Sequence, residues 1–187
     1  MAGEARELPA GAGRITVERA DVTTLDVDAV VNAANAQLAG GGGVDGAIHR
    51  AAGAAALQEE LHRRHPGGCP TGSAVITSGH RLRARHIVHA VGPRWSEGRA
   101  EECDVHLRSA YGTAFALAAA EGCASVAAPS ISTGIYGFPI ERAAPIAVAA
   151  AREALEQPGT PLREVRFALF SDADLDTFSR ALEAAAS

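Results

Sequence analysis

The stretch Val30-Val31-Asn32-Ala33-Ala34-Asn35-Ala36-Gln37-Leu38-Ala39-Gly40-Gly41-Gly42-Gly43-Val44-Asp45-Gly46-Ala47-Ile48-His49 runs from an apolar segment through four consecutive glycines into an Ala-rich one. Ala29-Val30-Val31 reads as a short buried strand, and the residues after the glycines as a helix reaching about His65. Consecutive glycines let a backbone approach a ligand closely and aim N–H groups at it. A helix N-terminus behind them adds a dipole that favours anions. A strand, a glycine loop and a helix in that order predict a phosphate cradle rather than a plain connector. Asp45 and His49, four apart, share a face at the start of the helix. As purely structural residues, Asp45 would complement the helix dipole and His49 would pack against the neighbouring strand. Asn35 offers both donors and an acceptor, as a group fixing sugar hydroxyls must. Together these residues suggest a phosphoribosyl ligand with chemistry at a ribose carbon.

The same periodicities extend outward. Ile15-Thr16-Val17, Ser73–Thr77, His86–Val91, Val126–Ala128 and Val165–Phe170 read as strands. Residues 100–121, Ile140–Glu156 (entered through Pro139) and Asp172–Ala185 read as helices, with a turn cluster at 66–72. Residues 1–13, small and polar without periodicity, read as a loose tail before one domain over 14–187. Alternation of strands and helices predicts an α/β fold with its sheet covered on both faces, and ligands beyond the carboxyl ends of the strands.

Composition narrows the chemistry. The 187 residues are 47% hydrophobic and 21% charged, with a net charge of −5, which suits one soluble domain. No basic run suggests a nucleic-acid footprint, no apolar stretch suggests a membrane span, and the first residues lack the pattern of a signal peptide. A cytoplasmic protein is expected. All 17 basic residues are Arg, which excludes a Walker A lysine and any Schiff-base lysine. Asn32 and Asn35 are the only asparagines. Cys69, Cys103 and Cys123 form no C-x-x-C pair and read as reduced, buried thiols. The pairs His62/His65 and His86/His89 lack a third ligand at a recognisable spacing, so no metal is expected. Gly41-x-Gly43-x-x-Gly46 matches the dinucleotide fingerprint formally. It lacks the second strand ending in an acidic residue about 20 positions on, which argues against a nicotinamide dehydrogenase.

A second loop, Ser130-Ile131-Ser132-Thr133-Gly134-Ile135-Tyr136-Gly137-Phe138-Pro139, also lies between a strand and a helix. Alone it is either a structural turn or an anion-binding loop; paired with the first it reads as the other half of a diphosphate clamp. Tyr136, flanked by glycines, is expected to be exposed and available to a ligand. Asp21-Val22-Thr23 after the first strand has the composition of a capped turn. Phe167 reads as core, and Phe178 as either core or surface.

These segments resemble a known family. Asn-Ala-Ala-Asn followed by the Gly40–Gly53 segment, with Gly72-Ser73-Ala74, His89-Ala90-Val91-Gly92-Pro93 and Ser132–Gly137, is similar to the signature of macrodomains, specifically MacroD-type ADP-ribose hydrolases. The similarity runs from about Arg14 to Ala185. It departs slightly at Ser130-Ile131, where relatives often have Ala-Ile. The resemblance implies a three-layer α/β/α fold with a mixed, mostly parallel sheet. It implies that Asp21 accepts from the adenine amino group, that the Val22 N–H meets the ring, and that Phe170 stacks on it. Asn32, Gly42, Gly43, Val44, His49, Ser132, Thr133, Gly134, Ile135 and Tyr136 would complete the ADP-ribose site, with Tyr136 against the distal ribose. Asp45 and Asn35 would be catalytic: Asp45 positions and activates water, with the substrate's own phosphate as a candidate aid, and Asn35 holds the distal ribose. The implied substrates are O-acetyl-ADP-ribose and ADP-ribose linked to acidic protein side chains, with no metal or organic cofactor. Two other readings stay open: an ADP-ribose reader without turnover, and a hydrolase of ADP-ribosylated nucleic acid.

Overall fold

A computed structural model describes residues 4–187. The strands are β1 (Arg6–Ala10), β2 (Gly13–Arg19), β3 (Ala29–Ala33), β4 (Ala74–Ser78), β5 (His86–Ala90), β6 (Ser125–Ala128) and β7 (Glu164–Leu169). The helices are α1 (Gly43–Ala52), α2 (Ala54–Arg64), α3 (Ala100–Ala120), α4 (Ile140–Glu156) and α5 (Asp172–Ala185). The strands form one sheet in the order β1-β2-β7-β6-β3-β5-β4. The five inner strands are parallel, and β1 and β4 pair antiparallel at the two edges. Val30, Val31, Ile87, Val88, Val126, Ala127, Val165 and Phe167 have no exposed surface, because helices cover both faces of a parallel sheet. One core joins α3, α4 and α5 to the sheet through Tyr111, Phe115, Val148, Phe167 and Phe178. The other packs α1 and α2 through Ile48, Leu57 and Leu61. The fold is the expected three-layer α/β/α sandwich with a mixed sheet.

Two local expectations are corrected. Residues 6–10 are not a tail: β1 pairs with β2 from Arg6↔Val17 to Ala10↔Gly13, while residues 1–3 lie outside the described residues. As an edge strand β1 buries only Ala10, and it tolerates Pro9, so it carries no apolar alternation to read. The helix after the glycine run is two helices. Gly53, at φ +98°, ends α1 and opens α2 in a backbone conformation that L side chains rarely adopt.

Parallel pairing brings the carboxyl ends of β2, β7, β6, β3 and β5 to one edge of the sheet. Along that edge lie, in spatial order, Asp21 and Val22 after β2, Phe170 after β7, the second loop after β6, the first loop after β3, and Gly92–Arg94 after β5. A ligand laid across these ends meets segments that are remote in sequence.

Candidate functional site

The two loops enclose a cleft of about 350 Å³. Of the residues singled out in the sequence, Asn35, Gly42, Gly43, Val44, Asp45, Ser132, Gly134, Ile135 and Tyr136 line it. Asn35 holds its own loop in place: its Oδ1 accepts from Ala39 N (3.0 Å) and its Nδ2 donates to Gly40 O (2.9 Å). The residue is half-buried and lines the cleft. A Cβ added at Gly42 or Gly43 would meet nothing within 4 Å, so the loop leaves open space above the start of α1. The first N–H groups of that helix have no intrahelical acceptor.

The opposite wall is pinned from below. Tyr111, fully buried on α3, donates to Pro129 O (2.9 Å) and accepts from Ile131 N (2.8 Å), which fixes where the second loop leaves β6. Trp95 N donates to Tyr136 O (2.8 Å), Gly137 N to Gly134 O (3.0 Å) and Phe138 N to Ser132 O (2.9 Å). Thr133 turns its hydroxyl away, onto Ser130 O and Ser130 Oγ. The N–H groups of Thr133, Gly134, Ile135 and Tyr136 find no acceptor among the described residues. Several such donors in one short loop form an anion-binding concavity. Ser132 adopts φ +66°, a left-handed conformation unusual for serine, and its Oγ is buried without a partner. Strain of this kind persists only where surrounding structure enforces it. The bond from Phe138 N to Ser132 O helps to hold it, and Gly92 leaves room for it, since a Cβ at that position would lie 2.2 Å from Ser132 Oγ.

At the β3–α1 corner the cleft contains a carboxylate. Asp45 is 7% exposed; its Oδ1 accepts from Asn32 Nδ2 (2.9 Å) and lies 3.0 Å from His49 Nδ1, which donates to the Asp45 backbone carbonyl (3.0 Å). Its Oδ2 has no donor among the described residues and is free for a water or a ligand hydroxyl. Asn32 and His49 therefore stand behind Asp45 rather than in the cleft wall. Asn32 is held in turn by His89. Thr77 Oγ1 donates to Ser78 O (3.1 Å), so it accepts from His89 Nε2 (3.0 Å) and leaves His89 Nδ1 to accept from Asn32 Nδ2 (3.1 Å). That chain requires a neutral His89, and burial pushes its pKa down to about 3. On the other side, His49 Nε2 accepts from Gln58 Nε2 (2.8 Å), which also donates to Leu38 O (2.9 Å). The hydrogen bond to Asp45 raises the pKa of His49 above the ordinary imidazole value, against the lowering effect of burial.

Three more expected residues sit at the β2–β7 end, outside the cleft lining. Phe170 is 89% exposed at the tip of β7, whereas Phe167 and Phe178 are core. Asp21 Oδ1 caps the turn over Val22–Thr24 through Thr23 N (2.9 Å) and Thr23 Oγ1 (2.7 Å), as a turn aspartate does. Val22 buries its side chain in the second core. The pairing of Ala20 N with Leu169 O (3.2 Å) holds the two segments side by side.

Residues without an assigned role in the sequence also build the site. Arg94 places its guanidinium 4.7 Å from the Tyr136 ring centroid. Gly92, Tyr111, Thr77, His89 and Gln58 act as described. Among the described residues no group of three His, Cys, Asp or Glu is placed to hold a metal, and no helix is long and apolar enough to cross a membrane.

The chain is similar to known proteins over most of its length. The Macro domain family model matches residues 31–147. A Pantoea vagans protein named O-acetyl-ADP-ribose deacetylase 1 is 46% identical over 170 residues, covering 90% of this chain and 98% of the relative. The Oceanobacillus iheyensis macrodomain with ADP superposes with a TM-score of 0.89 at 35% identity, covering 97% of this chain and 96% of that one. The Trypanosoma brucei macrodomain in complex with ADP-ribose gives 0.81 at 39% identity, covering 90% and 68%. The chain belongs to the macrodomain family.

Proposed function

We propose that this macrodomain binds ADP-ribose and hydrolyses it from O-acetyl-ADP-ribose and from esters with acidic protein side chains. The observation that carries this reading is Asp45. Its carboxylate lies in the cleft with Oδ1 held by buried Asn32, with buried His49 3.0 Å away, and with Oδ2 free. A module that only binds would need the two loops but not a braced carboxylate.

The order of segments along the sheet edge supports an extended ligand. Phe170 and the Asp21–Val22 turn receive adenine, and the free N–H groups of Thr133–Tyr136 and of the α1 start receive the diphosphate. Asn35 and Tyr136 then hold the distal ribose beside Asp45. Fixing the ribose between rigid loops supplies the proximity that makes attack effectively unimolecular. Asp45 Oδ2 accepts a proton from water as its oxygen attacks the ester linkage. The bond between acyl group and ribose is broken, giving a free carboxylic acid and ADP-ribose with its hydroxyl restored. Asn32 and His49 are positioning residues that keep Oδ2 aimed at that water. The test is ADP-ribose release by the wild-type protein and by Asp45→Ala. The substrates are O-acetyl-ADP-ribose, an ADP-ribosylated acidic peptide and ADP-ribosylated DNA. Turnover of either ester supports the reading, turnover of DNA alone redirects it to nucleic acid, and binding without any turnover makes the protein a reader.

A further inference from the structure

A second cavity of about 320 Å³ adjoins the cleft at its ribose end. Gln37, Gly92, Arg94 and Tyr136 line both spaces, so the Arg94–Tyr136 pair is a partition between them rather than an outer wall. Asn35 faces the cleft, and the next residues, Ala36 and Gln37, already face this cavity. Beyond the partition the lining carries Arg99 and His106, with one carboxylate, Glu102. Neither Arg94 nor Arg99 has a carboxylate within ion-pair distance among the described residues; nearby Asp104 is committed to Arg142 (2.6 Å). In a chain of net charge −5, two unpaired guanidinium groups against one carboxylate around one hollow are a local reversal of sign. The hollow is also nearly as large as the cleft, and an acetyl group would leave most of it empty.

We propose that this cavity seats the acyl side of the ester: it takes the peptide segment bearing the ADP-ribosylated carboxylate and favours segments with further acidic residues. The inference rests on the reading above, in which the distal ribose carries an ester beside Asp45. Arg94 and Arg99 attract the flanking carboxylates, and Thr71 and Ser96 offer hydroxyls to the peptide backbone. Turnover of O-acetyl-ADP-ribose then involves this cavity hardly at all.

The experiment compares three substrates on the full chain: O-acetyl-ADP-ribose, and two peptides ADP-ribosylated on one glutamate, with either acidic or glutamine neighbours. Wild type is expected to favour the acidic peptide in kcat/KM by about fivefold at low salt, the scale of one or two exposed ion pairs, and less at high salt. Arg99→Glu, on an exposed turn at the start of α3, is expected to abolish or invert that preference. It should leave the affinity for free ADP-ribose and the turnover of O-acetyl-ADP-ribose unchanged. Equal handling of both peptides by wild type, or an equal loss on all three substrates in Arg99→Glu, overturns the proposal. If wild type hydrolyses none of them, the enzyme reading fails by itself. The dissociation constants of the two conjugates then decide the cavity's role by the same fivefold criterion.

Discussion

His89 lies two hydrogen bonds from the carboxylate at the centre of the site, and its burial makes a quantitative prediction. Its pKa stands at about 3 in the folded protein against an ordinary value of 6.5. Because the folded value is depressed, the neutral ring stabilises the fold fully above pH 6.5. That stability is lost as the pH falls towards 3, since the unfolded chain takes up a proton that the folded chain refuses. One proton of difference corresponds to roughly 1 to 1.5 kcal/mol per pH unit, so between pH 6 and pH 4 this histidine should cost about 2–3 kcal/mol of stability. His89→Gln removes the titration while keeping an amide able to accept from Asn32 and donate to Thr77. Urea unfolding of both proteins at pH 7, 6, 5 and 4 reads the effect as a difference in slope, whatever constant penalty the substitution brings. The variant's stability should fall less steeply with acid, by about one proton's worth. Parallel pH profiles would mean that His89 titrates normally. The chain of bonds from Thr77 through Asn32 to Asp45 would then not depend on its neutrality.

Two further substitutions probe the ligand surfaces. Phe170→Ala removes an aromatic ring that is 89% exposed, so it should leave the fold intact and weaken ADP-ribose binding by about 1–3 kcal/mol in titration calorimetry, the range for a base stacked on an aromatic. Unchanged affinity would move the adenine elsewhere. Gly134→Glu introduces a side chain where a Cβ meets nothing within 4 Å, so it should fold normally and lose ADP-ribose binding by filling and charging the anion loop. Normal circular dichroism with normal binding would reduce the second loop to a turn.

Most of the layer architecture was legible because parallel strands buried on both faces are apolar throughout, and because helices such as α4 and α5 begin at clear signals, Pro139 and the acidic first turn of Asp172 and Asp174. The edge strand β1 was not, since it buries a single alanine and its pairing is backbone only. The break at Gly53 was marked by a glycine but hidden by the alanines around it. In the site, the glycine loops, Asn35, Asp45 and Tyr136 were legible because their spacing is local. The support behind Asp45 was not. Thr77 and His89 are brought to Asn32 by pairing among β3, β4 and β5, and Tyr111 reaches the second loop from α3. Those contacts span up to tens of residues and leave no periodic trace. Asn32 and His49 stood out in the sequence as ligand contacts, yet both stand behind the carboxylate: Asn32 spends its amide donors on Asp45 and His89 while its Oδ1 is buried without a partner, and His49 is held by Asp45 and Gln58.

If Asp45 makes a hydrolase of a binding cleft, the single-turnover rate of ester hydrolysis by Asp45→Ala, with ADP-ribose affinity determined on the same preparation, will show it. Removing a group that acts in the transition state should lower the rate by roughly 10²–10⁴-fold. The backbone donors of both loops remain, so the dissociation constant for ADP-ribose should stay within a few fold of wild type. An Asp45→Ala protein that hydrolyses either ester at the wild-type rate would place the water-activating group elsewhere in the cleft.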